Sequence, residues 1–320
     1  MKLIIHLGYP KTGSTFLNNN LFIKHSQINL ITKNAEINPY INSIKYLDDI
    51  EYDKKQLTIK NFFNSKISNE KINIFSDEMF LVPLGYKLYD NKKAIKRLYE
   101  MFSNIEKIRD INFLLMIRNP EDLLSSYYTD EYHRIVSYDK NLDKFDKFLN
   151  EKNLKNNIFF QKIIEIFDYK DISLFLTSLN TYKTKSNVGI LLLEELKDNI
   201  DLFSKKISSF LEISQSETLS LIKNKTAENV TTKNKDFYFK KYDWNIFFSK
   251  YNFLYNFLPT KLIRYIKESN LLNFFWFFKP KIIVKINDKQ KKIIKLIYLK
   301  NLQEIEKDFC LNLKNNNYYN

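Results

Sequence analysis

The sequence predicts an α/β fold: a central parallel sheet between helical layers, a three-layer αβα arrangement, followed by a helical, aromatic-rich C-terminal region. Three observations carry this. Short apolar runs of strand length, KLIIHL (2–7), KINIFS (71–76), NFLLMIR (112–118) and VGILLL (188–193), are separated by stretches of helical period. The first run passes through a glycine turn directly into the helical pattern STFLNNNLF. The chain of 320 residues is long enough to bury one full core.

Taken in order, the first unit reads strand, loop, helix. The run at 71–76 is a second strand and 112–118 a third, which ends in Arg118. Pro120 follows at a first helical turn, where a missing N–H costs nothing, with Glu121 and Asp122 behind it to favour the helix dipole. The run at 188–193 leads into the helical stretch EELKDNIDLFSKKISSFLEI. Residues 30–56 and 136–157 are polar and weakly periodic and read as loop-rich insertions. One domain over 1–320 is expected, with a core of about 1–215 and a helical extension over 216–320 packed on it, facing the acceptor or a membrane. Within that extension, residues 237–286 alternate aromatic rings with lysines. Amphipathic helices with the rings as core are favoured there over a surface lying on a membrane interface, and no run is long enough to span a bilayer.

Composition excludes several classes. One cysteine, Cys310, allows no internal disulfide, and with only His6, His25 and His133 besides, no metal centre is expected. The net charge of +14 raises nucleic acid or a membrane as partner. The lysines are spread through an Asn- and Ile-rich chain rather than gathered in a stripe, so no nucleic-acid substrate is expected. The N-terminal residues do not read as a signal peptide, which gives a cytoplasmic expectation, with peripheral contact at the inner face of a membrane as a possibility of the aromatic segment. Scarce residues say more. Two of the four glycines, Gly8 and Gly13, flank the opening loop, and one of five arginines, Arg118, ends the third strand.

The loop GYPKTGST (8–15) has phosphate-binding spacing, but Ser14 stands where a nucleotide triphosphatase has its lysine, and the loop lysine is Lys11. Backbone N–H groups at a helix start, helped by the dipole, still bind an anion, and Ser14 and Thr15 add hydroxyls. A magnesium-ATP site needs an acidic residue at a neighbouring strand end. Arg118 stands there instead. Ser126, eight residues on, lies about two helical turns along, so Arg118 and Ser126 can share a second phosphate.

On these residues the chain resembles the sulfotransferases that use 3′-phosphoadenosine 5′-phosphosulfate (PAPS). PKTGSTFL is similar to their 5′-phosphosulfate loop, IRNPEDLLSSYY to their 3′-phosphate motif, and VGILLLEELKDNIDLFSKKISSFLEI to a third family stretch. The resemblance implies a P-loop-like αβα domain and PAPS as co-substrate with no metal. It also implies that Lys11 contacts the 5′-phosphate and the oxygen bridging to sulfur, with Pro10, Thr12, Gly13, Ser14 and Thr15 completing the loop and Arg118 and Ser126 on the 3′-phosphate. The glycine-rich adenine-side loop of the small-molecule branch is absent; NKTAENVTTKNKDF occupies a similar place. That departure points to the carbohydrate branch, and so to a sugar hydroxyl of a surface polysaccharide or glycolipid as acceptor.

A general base must take the acceptor's proton. Glu78 in FSDEMF is the first choice, Asp77 its substitute and His133 the rival. Two other readings compete with the transferase: a small-molecule or lipid kinase with an altered loop, which requires Mg²⁺-ATP, and a non-catalytic PAPS- or anion-binding protein, which loses nothing when Glu78 is changed.

Overall fold

The computed structural model describes residues 1–32, 34–77, 80–81, 90–156, 158–179, 187–223, 236–237, 259, 282–284 and 286–319. They belong to two compact units, one of Met1–Leu123, Lys162–Asn229 and Ile294–Asn320, the other of Leu124–Gln161 and Val230–Ile293.

The first unit is built on a five-stranded sheet: β1 (Lys2–Gly8), β2 (Ile28–Thr32), β3 (Ile72–Asp77), β4 (Asp110–Ile117) and β5 (Val188–Leu192), in the order β2-β3-β1-β4-β5. All four pairings are parallel. Leu3, Ile4, Ile5 and Leu7 of the central strand are fully buried, as a parallel strand covered on both faces requires. The period of two then assigns faces. Ile4, Ile74, Leu114 and Met116 pack with Phe16, Leu17, Phe203 and Ile207 in one cluster. On the other side Phe75 meets Phe63 and Phe102 edge-on, with ring centroids 5.9 and 5.6 Å away.

The helices of the N-terminal half are α1 (Ser14–Leu17), which continues into a π-helical turn at Asn18–Phe22, α2 (Asn38–Tyr46), α3 (Asp49–Lys66), α4 (Asn91–Ser103) and α5 (Pro120–Tyr138). The polar stretch 30–56, expected as loop-rich, is thus an edge strand and two helices. Its local signals are caps rather than an apolar stripe: Pro39 lies in the first turn of α2, and the Asp48 side chain accepts the Glu51 N–H at 2.8 Å to start α3. Tyr52, Ile59 and Phe63 alone tie α3 to the core, too narrow a stripe to show in a polar sequence. The stretch 136–157, also expected as loop, contains the short helices α6 (Phe145–Phe148) and α7 (Glu151–Asn156). Phe145 and Phe148 gather around the buried Tyr128, with ring centroids 5.2 and 5.0 Å from its own.

Beyond these come α8 (Ile158–Ile166), α9 (Tyr169–Leu179), α10 (Leu193–Asp198), α11 (Ile200–Leu211), α12 (Gln215–Lys223) and α13 (Asp288–Asp308). A reciprocal cap starts α13: Asn287 Oδ1 accepts the Gln290 N–H at 3.0 Å, and Gln290 Oε1 accepts the Asn287 N–H at 2.9 Å. Asp236–Phe237 and Ile282–Ile283 form a small antiparallel pair. Most of the aromatic segment 237–286 lies outside the described residues, and with it the choice between core and membrane surface. Among the described residues no helix is long and apolar enough to cross a membrane.

Candidate active site

Parallel pairing brings the strand ends to one edge: Leu7 lies opposite Asp77, Gly8 opposite Met116 and Ile117 opposite Leu192. Ligand sites of open α/β sheets lie beyond that edge. The opening loop, Asp77, Arg118 and the start of α10 all belong to it.

The loop is a strained turn held from several sides. Lys11 at its apex has φ 64° and Gly13 φ 93°, a region that costs a side chain about 1–2 kcal/mol. Three contacts keep it there. The Thr12 hydroxyl donates to Tyr9 O at 2.8 Å, Arg118 Nη1 donates to Lys11 O at 3.0 Å, and the buried Tyr9 ring meets Tyr169 edge-on at 5.1 Å. Gly13 then caps α1, whose first helical bond runs from Leu17 N–H to Gly13 O at 3.1 Å. No side chain caps this helix and no acidic residue sits in its first turn, so no carboxylate there opposes an anion.

A β-carbon on Gly13 would stand 2.8 Å from Leu193 Cδ1 and 3.1 Å from Met116 Cε. Both neighbours are flexible ends that can yield, so the backbone sets the penalty. Gly13→Ala is expected to destabilise the fold by about 1–2 kcal/mol, read as a lower midpoint in a thermal melt. An unchanged melt would mean that the loop relaxes and does not need this turn.

Besides the Tyr9 hydroxyl, two buried donors in the site lack an acceptor. Ser14 Oγ, on a residue 3% exposed, and Arg118 Nε have no hydrogen-bond partner. Orphaned buried donors are costly unless a ligand serves them, and a ligand with anionic groups at both the loop and the end of β4 would serve both. The Thr12 hydroxyl, by contrast, is spent on the turn, so only the backbone of Thr12 remains for a ligand. Thr15 is exposed at the first helical turn. Lys197 on α10 adds a cation here: partial desolvation first, then the Arg118 charge, lowers its pKa, with Glu194 and Asp122 opposing.

The other expected residues divide. Asp77 ends β3 and is 1% exposed. Glu78 lies outside the described residues. Ser126 is half-buried on α5, and His133 is on the same helix; both belong to the second unit. His6 is core: burial lowers its pKa to about 4. Ser76 spends its single hydrogen on Asn18 Oδ1 at 2.7 Å, so His6 Nδ1 donates to Ser76 Oγ at 2.8 Å. That chain fastens the π turn behind the loop to two strands. Among the described residues no cluster of His, Cys, Asp and Glu could hold a metal ion.

Sequence reasoning missed the brace around Arg118. The Tyr169 hydroxyl donates to Arg118 O at 2.9 Å, and Glu194 Oε1 accepts the Asn119 N–H at 3.0 Å. Glu194 had a signal, its place in the stretch after β5. Tyr169 had none.

The model of the sulfotransferase domain family matches residues 2–256. The chain belongs to the sulfotransferase domain family. Its αβα fold, with the five-stranded parallel sheet between helices, is the one expected from the sequence. Solved structures similar to it include a sulfotransferase of Alicyclobacillus acidocaldarius, 15% identical, with a TM-score of 0.42 over 66% of this chain and 81% of that one. Mouse sulfotransferase SULT7A1 complexed with PAP is 16% identical, with a TM-score of 0.43 over 97% and 87%. The sulfotransferase domain of the Synechococcus PCC 7002 olefin synthase is 10% identical, with a TM-score of 0.39 over 81% and 96%. No curated protein matches the chain. As a member of the family this sulfotransferase is an enzyme of sulfuryl transfer, and it requires an acceptor substrate.

Proposed function

We propose that the enzyme moves the sulfuryl group of PAPS to a sugar hydroxyl of a surface polysaccharide or glycolipid. The observation that carries the donor assignment is the pair of orphaned donors, Ser14 Oγ and Arg118 Nε, in a site where Arg118 also binds the loop backbone. Loop amides, Ser14, Thr15 and Lys11 take the 5′-phosphosulfate, while Arg118 with Ser126 takes the 3′-phosphate. In the transfer, the acceptor oxygen forms a bond to sulfur as the bond from sulfur to the bridging phosphate oxygen breaks. Glu78 receives the hydroxyl proton and 3′-phosphoadenosine 5′-phosphate (PAP) leaves. Charge grows on the departing phosphate, so Lys11 binds the transition state more strongly than the ground state. The sugar acceptor rests on Glu78 as base and on the absent glycine-rich adenine loop.

Calorimetric titration with PAP in EDTA, against ATP with Mg²⁺, tests the donor. Tight, metal-independent binding of PAP is expected. Binding of Mg²⁺-ATP alone would replace the transferase by a kinase. Arg118→Ala is expected to weaken PAP more than adenosine 5′-phosphosulfate, which lacks the 3′-phosphate. Some loss for both follows from the lost brace on Lys11 O, so the difference between the two ligands is the quantity to read. Equal losses would remove Arg118 from the 3′-phosphate.

A further inference from the structure

We propose that the C-terminal turn is a clasp on the Arg118 strand end, with Tyr318 acting through Glu194 as a positioning residue for 3′-phosphate binding. The inference rests on the nucleotide reading above.

Arg118 sits at the hinge between β4 and α5, where the chain leaves one regular element and has not entered the next. Its own backbone is held by Tyr169, and the next residue, Asn119, caps α5 by accepting the Glu121 N–H at 2.8 Å. The C-terminal turn grips this hinge twice. The Asn119 side-chain amide donates to Asn317 O, and the Tyr318 hydroxyl donates to Glu194 Oε2 at 2.6 Å. The other oxygen of that carboxylate accepts the Asn119 N–H at 3.0 Å. Tyr318, Glu194 and the hinge backbone thus form one hydrogen-bonded line that ends at Asn119, the residue after Arg118.

The turn is built to stay in place. Leu313 is fully buried, Tyr318 N–H donates back to Leu313 O at 3.0 Å, and Glu306 Oε1 accepts the N–H groups of Leu313 and Lys314 at 2.6 and 3.0 Å. Asn317 takes the left-handed φ of 59° that an asparagine tolerates in a tight turn. Glu194 is 9% exposed, and burial pushes its carboxyl up while the Tyr318 hydroxyl draws it down. Without that hydroxyl one carboxylate oxygen loses its donor and the side chain is free to turn away from Asn119. A guanidinium binds phosphate through a planar fork, so small errors in its base are felt directly in affinity.

Tyr318→Phe removes the hydroxyl and keeps the ring. PAP and adenosine 5′-phosphosulfate are titrated into wild type and variant in EDTA, with a thermal melt of each. The expected result is about a tenfold loss of PAP affinity, the scale of one charge-assisted hydrogen bond, with adenosine 5′-phosphosulfate changed less than about twofold. Equal loss for both ligands means a structural role and overturns the clasp. No loss, with wild type still preferring PAP, overturns the clasp and leaves the nucleotide reading standing. A wild type indifferent to the 3′-phosphate overturns both. Amide exchange on the wild type makes the test independent of how the variant folds. PAP, and not adenosine 5′-phosphosulfate, is expected to slow exchange at Asn119 and across residues 313–319, and absence of that protection overturns the proposal.

Discussion

Lys11→Ala lowers turnover by about 10²–10³-fold, the scale found when one donor to a developing oxyanion is removed, and weakens PAP by about tenfold or less. The variant isolates the ammonium. Alanine keeps a β-carbon, so the left-handed apex at φ 64° is not relaxed, and the Arg118 bond goes to the Lys11 carbonyl, which any residue retains. Ground-state binding keeps the loop amides and Ser14. The bridging oxygen gains charge only as its bond to sulfur breaks, so the missing cation is felt mainly in the transition state. Rapid-quench turnover on a sugar acceptor, found by a PAP-release screen, set beside calorimetric PAP affinity, reads the split. Equal losses in both, or unchanged turnover, would remove Lys11 from the chemistry.

Glu78→Gln is expected to lower turnover by about 10²–10⁴-fold, the usual contribution of a positioned general base, with PAP affinity within about twofold of wild type. Glutamine keeps the size and hydrogen-bonding reach of glutamate and cannot accept the proton. Glu78 lies outside the described residues, so its case rests on its place directly after β3. The rivals stand differently. Asp77 is 1% exposed at the end of β3, and a base must be reached by the acceptor. His133 sits on α5. The pH–rate profile separates them: loss of the acidic limb in the variant identifies the carboxylate, and a variant that stays active moves the base to Asp77 or His133.

The strands that carry the site were legible because a strand buried on both faces must be apolar throughout. KLIIHL, NFLLMIR and VGILLL state this without help from the rest of the chain. The loop was legible for a related reason: Gly13 is one of four glycines, and its φ of 93° is a local demand of the turn. The edge strand β2 and the helices α2 and α3 were not. β2 buries only two of its five residues, and α3 three of its 18, so most of each segment is free to be polar.

By itself the sequence determined the parallel sheet, the glycine loop with its lysine at Lys11, and Arg118 in place of an acidic strand end, because each follows from residue type at short range. The tertiary structure alone decided that Arg118 braces the Lys11 carbonyl, that Ser14 Oγ and Arg118 Nε are left as buried donors, and that Tyr318 reaches Glu194 across 124 positions of chain. Spacing along a sequence carries no record of such pairings. They arise when parallel strands deliver their ends to one edge, and the groups gathered there must then satisfy one another or a ligand.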